Sequence, residues 1–410
     1  MLTHKQLTDF ADLAIKVGVN LQKDQRLVVN CPIECADFAR IISLQAFKAG
    51  AKDVSVLWND EKLSRIRMEN ADIAALEDIP SWLVCQKKEI IEKNIAIISI
   101  VSSDPAIYEG IDIVKIKRYS KAHSIALKDY RNATMNNEVR WCVVSVPSAA
   151  WALKVFPNLS QKEAIDKLWE AIAVAMRLNE ADPVKAWKEH VEKLTARAQF
   201  LNESNFDSIH LKNNKGTDLT VGLPAGHIWT AAGEVAKDGV MFTANMPTEE
   251  IFTVPHRNRV NGKVVNALPL SYNGVIIDGF FVEFNEGRAV NFGAKIGEPA
   301  LKELINTDEG SHYLGEIALI GKYSPISNLK TMFYNTLFDE NASCHLAFGK
   351  GYPSTIKGGE SMTVEQLLQK GINDSVEHCD FMIGTPDLNV TGIRQDGSKV
   401  NLFVDGEWVI

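Results

Sequence analysis

Short apolar runs alternate with helically spaced ones through the first half of the chain. In "RLVVNCP", Leu27, Val28 and Val29 form a continuous run that stops at Pro32, the pattern of a strand buried on both faces. "ADFARIISLQAFKAGA" then spaces its apolar residues as a helix does and closes at Gly50. "DVSVLW", "NIAIISIVSS" and "RWCVVSVP" repeat the strand pattern, with charged helical stretches between them. This rhythm predicts a mostly parallel sheet with crossover helices. Ahead of it, Leu7, Phe10, Leu13, Ala14 and Val17 recur at the spacing of an amphipathic surface helix.

Two long helices follow. One opens with the capping box Ser160 to Glu163, the other with Asp182 as N-cap and Pro183 in the first turn. After "NESN" the pattern changes. "SIHLKNNKGTDLTVGLP" is two alternating runs around a turn, and "GVIIDGFFVEFNEGRAVNF" repeats the arrangement about "NEG". The Asn-Gly of "RVNGKVV" and the Asp-Gly pairs at Asp396 and Asp405 are hairpin signals. "GEPALKELI" and "MTVEQLLQKG" read as helices. The expected architecture is an α/β N-terminal domain with a mostly parallel sheet over residues 1–204. An α+β C-terminal domain rich in antiparallel sheet follows over residues 205–410.

A chain of 410 residues exceeds what one hydrophobic core supports, which agrees with two domains. Its net charge of −8 argues against nucleic acid or an anionic membrane surface as the main partner. No segment offers about 18 consecutive apolar residues, and the N-terminal helix has the pattern neither of a signal peptide nor of a membrane span. Six sparse cysteines fit reduced thiols in a cytoplasm. In "CPIEC", Cys31 and Cys35 are separated by three residues, Pro32 among them, and read as buried packing at a strand end. The turns after "LVVN" and "IISIV" lack the glycines that let a backbone approach phosphate, so no nucleotide cofactor is expected.

The candidate chemistry lies in the second half. Glu249 and Glu250 are adjacent in "NMPTEEIFTVPHR", and on an extended segment only one of them can enter a given site. Glu316 heads the apolar run "GEIALIG", as a ligand or as a solvated carboxylate. His378 and Asp380 are two apart on a strand-like run, so both leave one face; they can chelate a divalent cation or form an ion pair. His345 and Tyr352 are seven apart, too far to share an ion along an unbroken helix. Gly349 and Gly351 between them allow the chain to fold back. Carboxylates with few imidazoles suit a pair of divalent cations sharing a carboxylate and a water. Cys379 reads as packing, and His190, in a charged helix, as a rim residue. Trp229, Phe242 and Tyr272 are apolar wall candidates. Asp339 and Glu340 are read as helix-capping carboxylates or as groups that orient His345.

The runs "NMPTEEIFTVPHRNRVNGKVV", "FYNTLFDENASCHLAFGKGYP" and "HCDFMIGTPDLNVTG" resemble the aminopeptidase T / aminopeptidase S / PepS family of two-metal metalloaminopeptidases, over essentially the whole chain. The resemblance implies a C-terminal catalytic domain whose metal ligands are Glu250, Glu316, His345, His378 and Asp380. It implies Tyr352 as a further site residue, ligand or hydrogen-bonding group, and it selects Glu250 over Glu249. It further implies peptide substrates, two divalent ions per subunit and a homodimer whose active sites face an enclosed space. Zinc or cobalt suits the ligands best, and manganese or magnesium is tolerated. Glu249 and Glu316 are the candidates for the proton carrier, and Tyr352 for donation to the oxyanion. The α/β half is expected to limit access and build the dimer. The rival readings are a two-metal hydrolase of phosphate esters, for which Arg257 and Arg259 are the local cations, and a peptide-binding relative without catalysis.

Overall fold

The apolar runs of the first half become four parallel strands: β1 (Arg26–Pro32), β2 (Asp53–Asn59), β3 (Ala96–Val101) and β4 (Trp141–Ser145). Their order is β2-β1-β3-β4, with Leu27 of β1 level with Val54 of β2 and Ala96 of β3. The inner strands β1 and β3 are buried almost throughout, whereas the edge strand β2 is half exposed. The helix Ala36–Lys48 connects β1 to β2 and ends at Gly50, and the amphipathic first helix, His4–Leu13, opens with a Thr3–Gln6 capping box. The expected capping box of Ser160 with Glu163 heads the helix Gln161–Ala175, and Asp182 caps the helix Pro183–Ser204. All six cysteines are free thiols; burial pushes Cys31 up to about 12 and Cys35 to about 11, as packing residues at a strand end require.

This computed structural model describes residues 2–102, 104, 106–272 and 275–410. Met1 of the N-terminal segment, Ser103 and Pro105 of the turn after β3, and Gly274 at the head of "GVIIDGFF" lie outside the described residues. Contacts divide the chain into two compact units, Met1–His190 with Gly233–Pro247, and Val191–Ala232 with Thr248–Ile410. The insertion of Gly233–Pro247 into the first unit is made by backbone bonds. Val143 N–H of β4 donates to Ala244 O at 2.7 Å, and Met246 N–H donates to Val143 O at 3.0 Å. Buried Arg140, 1% exposed, donates to Gln25 Oε1 at 2.6 Å and lies 3.3 Å from Asp238, so its charge is compensated inside the unit.

The second unit contains an eight-stranded antiparallel sheet and a four-stranded one. Ser208–Lys212 and Asp218–Gly222 pair across the expected turn, as do Phe281–Asn285 and Arg288–Gly293 across "NEG". Asn389–Ile393, Lys399–Val404 and Glu407–Trp408 form the C-terminal meander around the two Asp-Gly turns. The Asn-Gly of "RVNGKVV" is not a hairpin turn. Val260–Val265 runs through it as one strand, paired on both sides, with Gly262 opposite Leu219 and Phe284. Gly262 has φ +116°, and a Cβ there would stand 2.3 Å from Asp218 O. Its glycine thus serves a close strand-to-strand approach, a use that the dipeptide alone does not distinguish from a turn.

The four-stranded sheet runs in the order His378–Met382, His345–Gly349, Leu314–Leu319, Ile251–Thr253. Side chains alternate between its faces. On one face Phe348 stacks on Phe381 with centroids 4.7 Å apart, Phe280 approaches Phe381 at 5.6 Å, and Phe284 of the eight-stranded sheet reaches Phe348. This aromatic column joins the two sheets, and such rings contribute both area and edge or offset contacts.

Candidate metal centre

The other face of the four-stranded sheet carries the polar residues, and the strand register decides which. His345 lies two residues before Ala347, which stands opposite Asp380, while Gly349 stands opposite His378. His345, His378 and Asp380 therefore share a face, and Phe348, Phe381 and Cys379 share the reverse one. The neighbouring strand reaches the same face only through an irregularity. Leu314 pairs with Phe348 and Glu316 with Ala347, so the register slips by one residue at Gly315. Without that bulge, strict alternation would keep Glu316 on the side of Leu314, among the aromatic rings. The bulge presses Gly315 against the turn after the His345 strand; a Cβ there would stand 2.3 Å from Lys350 O. On the last strand Phe252 is opposite Ala318, and Glu250, just before that strand, brings its carboxylate to within 3.3 Å of His345 Nε2.

These registers produce two groups of donors that share one carboxylate. Glu250, Glu316 and His345 offer ligand atoms within 4.8 Å of one another, and so do Glu316, His378 and Asp380. His345 Nε2 is 3.3 Å from Glu250 Oε2 and 3.4 Å from Glu316 Oε1. His378 Nε2 is 3.5 Å from Glu316 Oε2 and 3.4 Å from Asp380 Oδ1. Each oxygen of Glu316 thus faces a different imidazole. These separations are long for hydrogen bonds. Two donors each about 2.1 Å from one ion at a tetrahedral angle lie about 3.4 Å apart, which matches all four. Buried Asp380 Oδ1 makes no hydrogen bond among the described residues. The residues present fit divalent cations.

Backbone carbonyls set both imidazoles. His345 Nδ1–H donates to Ser343 O at 3.2 Å, and His378 Nδ1–H donates to Lys350 O at 2.8 Å. A carbonyl only accepts, so Nδ1 carries the proton and Nε2 turns its lone pair to the site. His345 is 1% exposed and Glu316 5%. Burial alone would lower the histidines; the nearby carboxylates of Glu250 and Glu316 instead hold His345 well above its ordinary value, and those of Asp380 and Glu316 hold His378 up at about 9. Burial, with Asp380 and Glu250 nearby, raises Glu316. Without cations, protons on the two imidazoles and on Glu316 take their place.

Tyr352 joins the cluster through the fold-back expected at the glycines. His345–Gly349 is a strand rather than part of a helix, and Gly349 takes φ +96° as the chain turns away. The Tyr352 ring lies 4.8 Å from that of His378 and meets Phe252 edge-on. Burial and then the carboxylates of Glu316, Asp380, Glu340 and Glu250 push its phenol far above the usual range, so it stays protonated.

Of the two readings given to Glu340, the surroundings favour the one beside His345: burial and the neighbouring carboxylates of Glu250, Asp380 and Glu316 raise it well above the usual value, so it lies close to the cluster. Asp339 binds the loop before it, accepting from Phe333 N–H at 2.7 Å and Asn335 N–H at 3.0 Å. A signal was present, because no Lys or Arg lies between Lys330 and Lys350 to balance either acid. Phe242 packs with Ala236 and Ala244 in the first unit, Trp229 is buried and bonded through its backbone to Asn202, and Tyr272 donates to Glu377. Arg257 stacks over Tyr313 at 4.2 Å, and Arg259 pairs with Asp207 at 2.5 Å, so both cations are engaged outside the cluster.

Residues 3–408 match the family model of thermophilic metalloproteases, M29. The chain belongs to that family. It is 46% identical to aminopeptidase AmpS of Bacillus subtilis and 43% to aminopeptidase 2 of Geobacillus stearothermophilus, over 98% of each chain compared. The solved structure of wild-type AmpT from Thermus thermophilus superposes with a TM-score of 0.92 at 37% identity, over 99% of both chains. The expected fold, a parallel sheet followed by antiparallel sheets, is that of an M29 protein.

Two predictions follow from how the ligand strands are held. Gly315→Ala sets a methyl against Lys350 O; unfolding in urea should show a loss of about 2 kcal/mol or more, with weakened cation binding. Unchanged values on both counts would contradict the role given to the bulge. The second concerns Asp308, which accepts from Ser311 N–H, Ser375 Oγ and Val376 N–H at 2.8 Å each and so fixes the entry to the His378 strand. Burial opposes its charge, but these bonds prevail and hold its carboxyl below the usual range. Its contribution is present above the unfolded value of about 3.9 and is lost as pH falls through the lower folded value. The thermal midpoint of Asp308→Asn should sit below that of the parent by a constant amount above about pH 5, with the gap closing at more acid pH. A gap that does not change with pH would contradict it.

Proposed function

We propose that this protein is a metal-dependent aminopeptidase whose two divalent cations, zinc or cobalt, would be held by two donor groups that share Glu316. Glu250 and His345 complete one position, and His378 and Asp380 the other. The observation that carries this reading is the placement of one Glu316 oxygen before each histidine. The names of the M29 relatives supply the reaction, release of N-terminal residues from peptides.

When bound, such cations polarise the scissile carbonyl and lower the pKa of a water from about 15.7 to about 7. The side chains do the rest. Both Glu316 oxygens face the donor groups that would hold the cations, and Glu340 interacts with the same carboxylates, so Glu340 would be the proton carrier: it would take the proton given up by the attacking water and return it to the leaving amine. Tyr352 keeps its proton and donates a hydrogen bond to the carbonyl oxygen as negative charge builds there. The carbonyls of Ser343 and Lys350 hold the histidine tautomers that leave Nε2 free. The engagement of Arg257 and Arg259 elsewhere disfavours a phosphate ester as substrate.

The same reading places the protein in the cytoplasm as a homodimer, with the N-terminal unit restricting access and contributing to the subunit interface. Among the described residues no helix is long and apolar enough to cross a membrane.

Two experiments test the proposal. Hydrolysis of a leucyl chromogenic amide should disappear in chelator and return with cobalt or zinc; activity that survives exhaustive chelation would defeat it. Calorimetric titration of metal-free protein should find Glu316→Gln weakened at both cation positions by about 100-fold or more, and Asp380→Asn at only one. Equal behaviour of the two variants would remove the bridge.

A further inference from the structure

Strand pairing in the Glu250 segment begins only at Ile251, which stands opposite Leu319. Glu249 and Glu250 lie before it, outside the ladder. The Glu249 backbone N–H is taken by a side chain: it donates to Asn341 Oδ1 at 2.7 Å. Asn341 is fully buried, 0% exposed. Its other end is committed too, Nδ2 donating to Leu337 O at 3.1 Å. The amide orientation follows from chemistry, since Glu249 N–H can only donate and Leu337 O can only accept.

Asn341 immediately follows Glu340, and its partner Glu249 immediately precedes Glu250. One buried amide therefore ties together two carboxylate-bearing segments that are distant in sequence. Among the described residues no hydrogen bond links Asn341 to His378 or Asp380, which sit on a strand fixed by its own ladder to the His345 strand.

We propose that Asn341 is a positioning residue for one of the two cation positions, the one formed by Glu250, Glu316 and His345, and that it leaves the Glu316–His378–Asp380 position unaffected. The inference rests on the reading of the two donor groups as separate cation positions. Its physical basis is that Glu250 lacks a strand partner of its own. Its carboxylate is held at ligand distance from His345 by the Glu249 peptide, and that peptide is held by Asn341. Groups that orient ligands in this way typically change metal affinity 10- to 100-fold when removed.

The test is titration of the metal-free full-length protein with cobalt, followed by calorimetry and by the visible absorption of the bound ion. Glu250→Gln and Asp380→Asn identify which binding step belongs to which position. Asn341→Ala should weaken the Glu250 step by about 10- to 100-fold and leave the other within about twofold. Asn341→Asp keeps an acceptor for the Glu249 N–H while giving up the bond to Leu337, and should retain both steps. If the alanine variant does not fold, Asn341→Ser, too short to reach the Glu249 amide, should show the same selective loss. Wild-type constants in the alanine and serine variants, equal weakening of both steps in them, or an aspartate variant as impaired as the alanine one would each overturn the proposal. A parent protein that binds only one cobalt would instead overturn the two-position reading, and this inference with it.

Discussion

One buried carboxylate governs this site. Glu316 can serve both histidines only because the sheet register slips at Gly315 and turns its side chain from the aromatic face to the polar one. On the regular strand it would meet Phe348 and its neighbours, where an unpaired charge costs several kcal/mol. On the polar face it sits among donors of both charge types. The backbone irregularity and the charge arrangement are thus a single constraint: the bulge is tolerated because position 315 has no side chain to strike Lys350 O, and the carboxylate is tolerated because the bulge aims it at two imidazoles.

The rest of the second unit supports that constraint. The aromatic column behind the sheet fixes the strands whose opposite faces carry His345, His378 and Asp380. Loop carbonyls at Ser343 and Lys350 fix the imidazole tautomers, and Asp308 fixes the entry to the outermost ligand strand. Burial makes the acid cluster hostile to uncompensated negative charge, which is the electrostatic reason that it takes up cations. It also keeps the Tyr352 phenol protonated and available as a donor.

Much of this was legible in the sequence, for reasons that differ by residue. The parallel strands were readable because each is a continuous apolar run, and His378 with Asp380 because a two-residue spacing on a strand leaves no choice of face. Gly262 misled because an Asn-Gly pair serves a turn or a close strand contact equally well. The burial of Glu316 depends on a bulge, which is a property of two strands and cannot be seen in one. Glu340 was ambiguous for a related reason: Glu250, Glu316 and Asp380, which interact with it, are all remote in sequence, so a local reading cannot choose between a cap and a group beside His345. Family resemblance pointed to five candidate ligands, and the register of the strands brings four of those side chains together, with Glu250 just before the fourth strand.

The most direct test of the central claim is crystallographic. Anomalous scattering from crystals grown with cobalt should show two peaks, each within about 2.0–2.2 Å of a different oxygen of Glu316, with His345 Nε2 on one ion and His378 Nε2 on the other. A single peak, or two peaks of which only one touches Glu316, would contradict the account.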